Sequence, residues 1–390
     1  MRSDRDSAIP LWRDERFWRI ALQALAIVVL VGMLIWLGTN FRYNLQQQNL
    51  QFGFDFLKNS AGFDVSDSLI KFQPSDSYHR VLLVGLINSL RVMVLGVILT
   101  TFVGVAAGVA SFSQNWLLRS LSRVYVEIVQ NTPLLLQLLF WYLAVFFRLP
   151  NVQEKVVFPG HIFLSKQGIF TPWPTLSSLW FCSLGLILSV IAALIIWRWR
   201  TQVIVEQGKP GHLQSVLLGI LGVITGLIIG GLKWEVPEVV NATTLVGGLR
   251  LTIEFSGLLV GLVLYTGAFI AEIVRAGIQS VDRGQWEAAR SLGLKPGLVM
   301  RLVVFPQALQ VIIPPLTNQY VNLAKNSSLG IAIGYSDIYA VANTTYNQAG
   351  RPVEVMLILM LTYLTINLVI SGGMNLVNQW VKIQGSTARD

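Results

Sequence analysis

The sequence predicts an all-α polytopic membrane protein of about eight transmembrane helices, and three observations carry that prediction. Hydrophobic residues fill 53% of the 390 positions and charged residues 13%, with a mean hydropathy of +0.59, too few charges to cover a water-soluble domain of this length. The stretches 20–38, 176–197 and 355–377 hold no Asp, Glu, Lys or Arg, and each approximates the roughly 20 apolar residues that cross a bilayer. The excess of basic residues, a net charge of +9, is scattered between apolar runs and forms no single patch, which argues for membrane topology and against a nucleic-acid partner.

Spans are expected at about 19–39, 82–112, 124–147, 176–197, 213–232, 248–274, 303–333 and 354–377. The first follows Arg13, Arg16 and Arg19, but its length and the lack of a small-residue cleavage site favour a retained span over a secretory signal. With both termini cytoplasmic, 17 of the 29 Lys and Arg residues fall in inner segments, nine in outer segments and three (Arg91, Arg250, Lys325) within spans, as the positive-inside rule requires. The chain then divides into a cytoplasmic tail (1–18), a first span with an outer segment (19–81), a transmembrane domain (82–377) with an insertion at about 148–246, and a final tail (378–390). The outer segment carries Phe52, Phe54, Phe56, Leu57 and Phe63 among polar residues, the pattern of an amphipathic piece lying on the membrane face.

Cys182 is the only cysteine, and His79, His161 and His212 stand far apart, so neither a disulfide nor a clustered metal site is expected. No Gly-x-x-x-x-Gly-Lys-Ser/Thr loop is present, and Gly208-Lys209 runs into Pro210, which leaves no phosphate cradle for ATP. Gly-x-x-x-Gly spacings at Gly104/Gly108, Gly222/Gly226/Gly230 and Gly257/Gly261 mark faces where helix backbones can approach closely.

The most informative stretch follows the sixth span, at 275–305. Asp282 and Gln285 have capping-box spacing, Trp286 to Leu292 suits a short helix, Gly293 is placed to end it in a left-handed conformation, and Pro296 suits the first turn of a second helix. Two short helices on a membrane domain make a projection that fits a groove on a soluble partner.

Glu287-Ala288-Ala289, then Gly293, then Val303-Val304-Phe305-Pro306 resembles the EAA loop of ABC importer permeases, with Val303 and Phe305 in place of the usual Ile and Leu. Residues 131–142, 265–281 and 307–329, with Gly53 to Ile70 outside, resemble the polar amino-acid permeases, in particular the general L-amino-acid subtype. Gln130-Asn131 stands where many relatives have Arg-Gly, and the N-terminal span and the insertion add to a five-span core. The resemblance implies a type I ABC importer permease core in a bacterial inner membrane that binds no metal or organic cofactor. It implies that Glu287, Ala288, Ala289 and Gly293 couple to separate ATPase subunits. It also implies a second homologous permease and a periplasmic or extracellular amino-acid-binding protein as partners.

Intramembrane polar residues are costly and so are functional candidates. Asn318, Asn322, Lys325 and Asn326 share one span with Pro314-Pro315, which is expected to interrupt it, and Thr132 precedes Pro133, which is expected to interrupt the third; these five are the candidate substrate path. An importer for another small solute would share the EAA loop. An ion-driven transporter would show internal repeats or a ring of intramembrane carboxylates, which this sequence lacks.

Overall fold

The computed structural model describes residues 15–47, 52–207, 211–240 and 244–386; Arg2, Arg5, Arg13, Lys209 and Arg389 of the charge count, and the extreme parts of both tails, lie outside them. Among the described residues seven helices are long and apolar enough to cross a membrane, or eight if one bent pair counts as a single span. They are α1 (Glu15–Gln47), α2 (Tyr78–Ala110), α5 (Leu176–Gln207), α6 (His212–Gly230), α7 (Ile253–Gln279), the run Pro296–Ile333 and α12 (Pro352–Ser386). The bent pair is α3 (Trp116–Gln130) followed by α4 (Leu134–Leu139) with a π-helical turn to Phe146; its halves meet at 108°.

That bend is the expected third span, broken where Pro133 stands. Proline has no N–H to give the carbonyl four residues back, and the Gln137 side-chain amide takes over, donating to the Val129 carbonyl at 2.9 Å and the Thr132 carbonyl at 3.1 Å. The expected interruption at Pro314-Pro315 does not occur. Both lie inside α10 (Phe305–Asn326), which runs through them, as transmembrane helices tolerate prolines where their surroundings re-satisfy the freed backbone groups.

α7 is the hub of the core. Phe255, Leu258, Leu262, Ile270 and Ile278 are fully buried on it, against α2, α3, α4 and α10. α2 runs parallel to α7 and meets it through small residues: a Cβ at Gly104 would lie 2.5 Å from Ile270, and one at Gly108 2.7 Å from Val274. Gly257 and Gly261 do the same for Tyr142 and Leu138. The third glycine set does not act in this way, since a Cβ at Gly222, Gly226 or Gly230 would meet no described atom within 4 Å. Identical spacing leaves a glycine face idle where no helix lies opposite it.

Two ends of this bundle differ. One, the loop end, carries residues 280–304. The other, the sheet end, carries residues 52–77, the turn 327–337 and small β-structure that the all-α expectation omits. There β1 (Val156–Phe158), β2 (Ile162–Ser165), β3 (Gly168–Thr171) and β8 (Leu249–Leu251) form an antiparallel sheet, while β4 (Trp173–Pro174) pairs with β5 (Trp234–Glu235) and β6 (Glu238–Val240) with β7 (Thr244–Val246). The insertion is thus a helical hairpin, α5 and α6, under a β-structured cap that leads into α7. Along α1, apolar side chains from Ile20 to Trp36 are exposed.

Of the aromatic residues of segment 52–77 that the sequence singles out, Phe56 is buried and Phe63 half-buried against the protein, while Phe52 and Phe54 are exposed. Phe56 and Ala61 are buried with Tyr78 and Val81 of α2, Ile338 and Val341 of α11 (Ile338–Ala349) and Val355 of α12. Asp67 reaches farther in, to Arg91 of α2 at 3.1 Å, with both side chains close to 10% exposed. Arg91 also lies 4.0 Å over the Phe255 ring, and the Asn88 amide donates to the Asp67 carbonyl at 2.7 Å and the Ser336 carbonyl at 2.9 Å.

Asp337 caps α11, accepting from the Ala340 N–H at 2.8 Å, and is fully buried. Burial pushes its carboxyl up to about 7, opposed by the bonds it accepts from the Ala340 and Tyr339 N–H groups and the Tyr363 hydroxyl. Between the unfolded carboxyl's ordinary pKa, about 4, and 7, the fold therefore holds a proton that the unfolded chain releases, so this group's contribution to stability falls as pH rises through that window. Asp337→Asn keeps a neutral cap. Thermal unfolding in detergent should show the variant and the parent alike at pH 5 and the variant the more stable at pH 8; parallel pH profiles would refute this role.

Candidate coupling loop and polar transport face

At the loop end, α8 (Arg283–Ser291) starts on Asp282, whose carboxylate accepts from the Gly284 N–H at 2.7 Å. The expected capping box is only half made. Gln285 turns to the next helix, where its side-chain oxygen accepts from the Gln307 amide at 3.3 Å, tying α8 to the base of α10. α8 ends as expected: Gly293 has φ +74°, its N–H donates to the Arg290 carbonyl at 2.9 Å, and the Leu294 N–H donates to the Ala289 carbonyl at 3.4 Å. This is a Schellman closure, which needs the left-handed residue that glycine supplies. α9 (Pro296–Val299) then opens on Pro296 in its first turn and passes through a π-helical turn, Met300 to Val304, into α10.

The loop has an inner and an outer face. Ala289, Val299 and Val304 are buried with Ile278 of α7 and Ala308 of α10, and Trp286 and Leu294 pack against them. Glu287, Ala288 and Gly293 are exposed, and Leu292 is 80% exposed. Of the four predicted coupling residues, Ala289 is therefore the anchor and the other three stand on the surface. A rigid projection results, wedded to two spans and presenting an acidic and an apolar residue outward.

On α10, Asn318, Asn322 and Lys325 are all exposed and recur at helical spacing, so they form one stripe. Asn326, half-buried, borders it one turn beyond Asn322. The opposite face, Ile312, Leu316, Leu323 and Ala324, is buried. Thr132 stands elsewhere: it lines a cavity of about 560 Å³ between α3, α4 and α7 that includes no residue of α10. Its hydroxyl donates to the Ile128 carbonyl at 3.0 Å and accepts from Gln137 at 2.7 Å, which makes it a support of the bend. The structure thus unites four of the five candidate path residues and leaves Thr132 apart. Among the described residues no group of three or more His, Cys, Asp or Glu is placed to hold a metal ion.

Residues 100–383 match the family model described as the binding-protein-dependent transport system inner membrane component. The chain belongs to that family. This inner membrane component is 42% identical over 370 residues to the general L-amino acid transport system permease protein AapQ of Rhizobium johnstonii, covering 94% of this chain and 92% of the relative. It is 41% identical to the putative amino-acid ABC transporter permease protein YhdX of Escherichia coli, covering 93% of both chains. It is 38% identical to the glutamate/glutamine/aspartate/asparagine transport system permease protein BztB of Rhodobacter capsulatus, covering 95% of both. The family places this component, with its several apolar spans, in a bacterial inner membrane.

Proposed function

We propose that this chain is the permease subunit of an ABC importer that carries amino acids into the cytoplasm, and that α8 and its Gly293 closure are the element a separate ATPase subunit grips. The observation that carries the reading is the loop itself, buried on one side through Ala289 and Val299 and open on the other at Glu287, Ala288 and Leu292. Such a body transmits a push to α7 and α10 without flexing. Three relatives matched over more than nine-tenths of this chain are described as amino-acid permeases, which supports the substrate class. The sequence offers no phosphate-binding loop of its own, in keeping with a motor on another polypeptide.

Exposure supports the choice of partners. A stripe of Asn318, Asn322 and Lys325 is costly against lipid, and a second, homologous permease covering that face would enclose a polar path between the two chains. We assign the loop end to the cytoplasm on the charge distribution, which turns the sheet end toward a secreted binding protein, and the exposed apolar flanks of α1, α5 and α6 toward membrane lipid.

Two measurements test this. Reporter fusions after Arg200 and after Lys295 should read cytoplasm, and fusions near Lys58 and Lys166 the opposite side; a cytoplasmic signal from Lys166 would overturn the orientation. Co-expressed with its neighbouring subunits and purified intact, the complex should have the mass of two permeases with two ATPases and should take up labelled amino acids in vesicles. A transport-competent single permease would refute the pairing.

A further inference from the structure

At the sheet end, residues 63–73 form a loop whose base is pinned. The Tyr78 N–H donates to the Asn59 carbonyl at 2.9 Å, the Ala61 N–H to the Asp76 carbonyl at 2.7 Å and the Gly62 N–H to the Pro74 carbonyl at 2.8 Å. Just inside that base, Phe63, Val65 and Phe72 pack on the apolar cluster around Phe56, Val81 and Ile338. The result is an Ω-loop, a compact surface loop of roughly 6–16 residues whose ends lie close together.

The tip, residues 66–71, is held by polar contacts to three separate parts of the bundle. On α2, Arg91 pairs with the Asp67 carboxylate at 3.1 Å and the Asn88 amide donates to the Asp67 carbonyl at 2.7 Å. At the start of α7, the Thr252 hydroxyl donates to the Asp67 carboxylate at 3.4 Å. On the turn that follows α10, Ser66 Oγ lies 3.0 Å from Ser336 Oγ and 3.5 Å from the Gly334 carbonyl. Asn88 serves both sides, since its amide also donates to the Ser336 carbonyl at 2.9 Å. The tip is therefore a clasp. It ties the sheet end of α10, the helix that carries the stripe of Asn318, Asn322 and Lys325, to α2 and α7.

Bonding in the clasp is incomplete. Among the described residues, Asn88 Oδ1 and Arg91 Nη2 are buried without a hydrogen-bond partner, although the first can accept and the second donate. Buried polar atoms left unpaired are costly, and a buried ion pair is a weak source of stability because of the solvation it forfeits. Water relieves both costs once the tip lifts. The flanks, held by apolar contacts and backbone bonds, gain nothing by moving. Ser66, Ser68, Leu69 and Lys71 are exposed, so no described element overlies the tip.

We propose that residues 66–71 are a lid that lifts from α2, α7 and the 334–337 turn in every import cycle, freeing the sheet end of α10 to move and admit substrate to its polar stripe. The inference rests on the importer reading, which turns this end to the outer side. Any opening that shifts α10 against α2 and α7 has to break the contacts of the tip.

The test uses the intact complex with its ATPase and binding-protein partners, in vesicles, in a Cys182→Ser background. Ser66→Cys with Ser336→Cys places two thiols where hydroxyl oxygens stand 3.0 Å apart, within reach of a disulfide. After oxidation, ATP-driven amino-acid uptake should fall with the crosslinked share, about tenfold when about nine lids in ten are linked, and a reductant should restore it. Ser60→Cys with Ser77→Cys, paired across the base, is the control, and its disulfide should leave uptake unchanged. In a second measurement, Ser336→Cys alone should react with an impermeant maleimide several-fold faster during turnover than at rest; where the paired cysteines silence the complex even when reduced, these rates decide. Uptake undiminished by the 66–336 disulfide, failure of that disulfide to form, an equal loss from the base disulfide, or equal maleimide rates would each overturn the lid alone, provided the parent complex transports. No uptake of any amino acid by the parent would reject the importer assignment and the lid with it.

Discussion

Gly293→Asp should abolish coupling between ATP hydrolysis and uptake while leaving the membrane domain folded. The φ of +74° at this position costs a residue with a side chain about 1 kcal/mol. A carboxylate at the end of α8 adds roughly 0.3–1 kcal/mol at the unfavourable pole of the helix dipole. Together these approach a tenfold weakening of the loop's native form. Crowding is not the cause, since a Cβ at Gly293 would meet nothing within 4 Å; the effect is conformational and electrostatic. Gly293→Ala should therefore be the milder variant, keeping the first fault without the second. The measurement is uptake and substrate-stimulated ATPase activity of the purified complex, with thermal unfolding as the control. Wild-type uptake by the aspartate variant would remove the loop from its proposed role.

The second large effect is expected at Arg91. Its pair with Asp67 is buried, and removing one member of a buried pair leaves the other charge uncompensated, at a cost of about 3–5 kcal/mol. In Arg91→Gln the Asp67 carboxylate would retain, among the described residues, only the Thr252 hydroxyl, at 3.4 Å, and the Phe255 ring would lose its cation. We expect a marked fall in unfolding temperature together with new protease cleavage between residues 53 and 77, because this pair and the Asn88 bond hold that segment down. Adding Asp67→Asn should recover a large share of the loss, since no charge then remains buried alone. A single variant as stable as the parent, with segment 53–77 still protected, would show that the apolar contacts of Phe56 and Ala61 suffice.

What could be read from the sequence was what depends on neighbours in the chain. Gly293 was legible because a helix stop is written within a few residues, as was the break at Pro133. Asp282 was legible as a cap, yet its partner Gln285 was not, because the competing contact with Gln307 is made across the loop. The sheet end was illegible for a related reason: strands of two to four residues are too short for alternation to stand out. Asp67 and Arg91 are 24 residues apart, and nothing in either position marks the other. Pro314-Pro315 misled in the opposite direction, since the cost of a proline inside a membrane helix depends on the helices around it. The glycines of α6 have the spacing of those on α2 and lack only a neighbour, which no local pattern records.

The parallel contact between α2 and α7 also sets a timetable for biogenesis. The 142 residues between Ala110 and Ile253 must be made before α2 finds its partner, which at about 5–20 residues per second takes roughly 7–30 s. Throughout that interval Ser89 and Thr100, both buried in the finished protein, face lipid or the insertion machinery with their native partners, the Ile338 N–H and the Val263 carbonyl, unmade. The α5–α6 hairpin is synthesised inside this window and packs mainly on itself. A longer insertion would lengthen the wait, and a slower ribosome would do the same, so yield on overexpression should depend on the rate at which residues 111–252 are translated more than on any other part of the message.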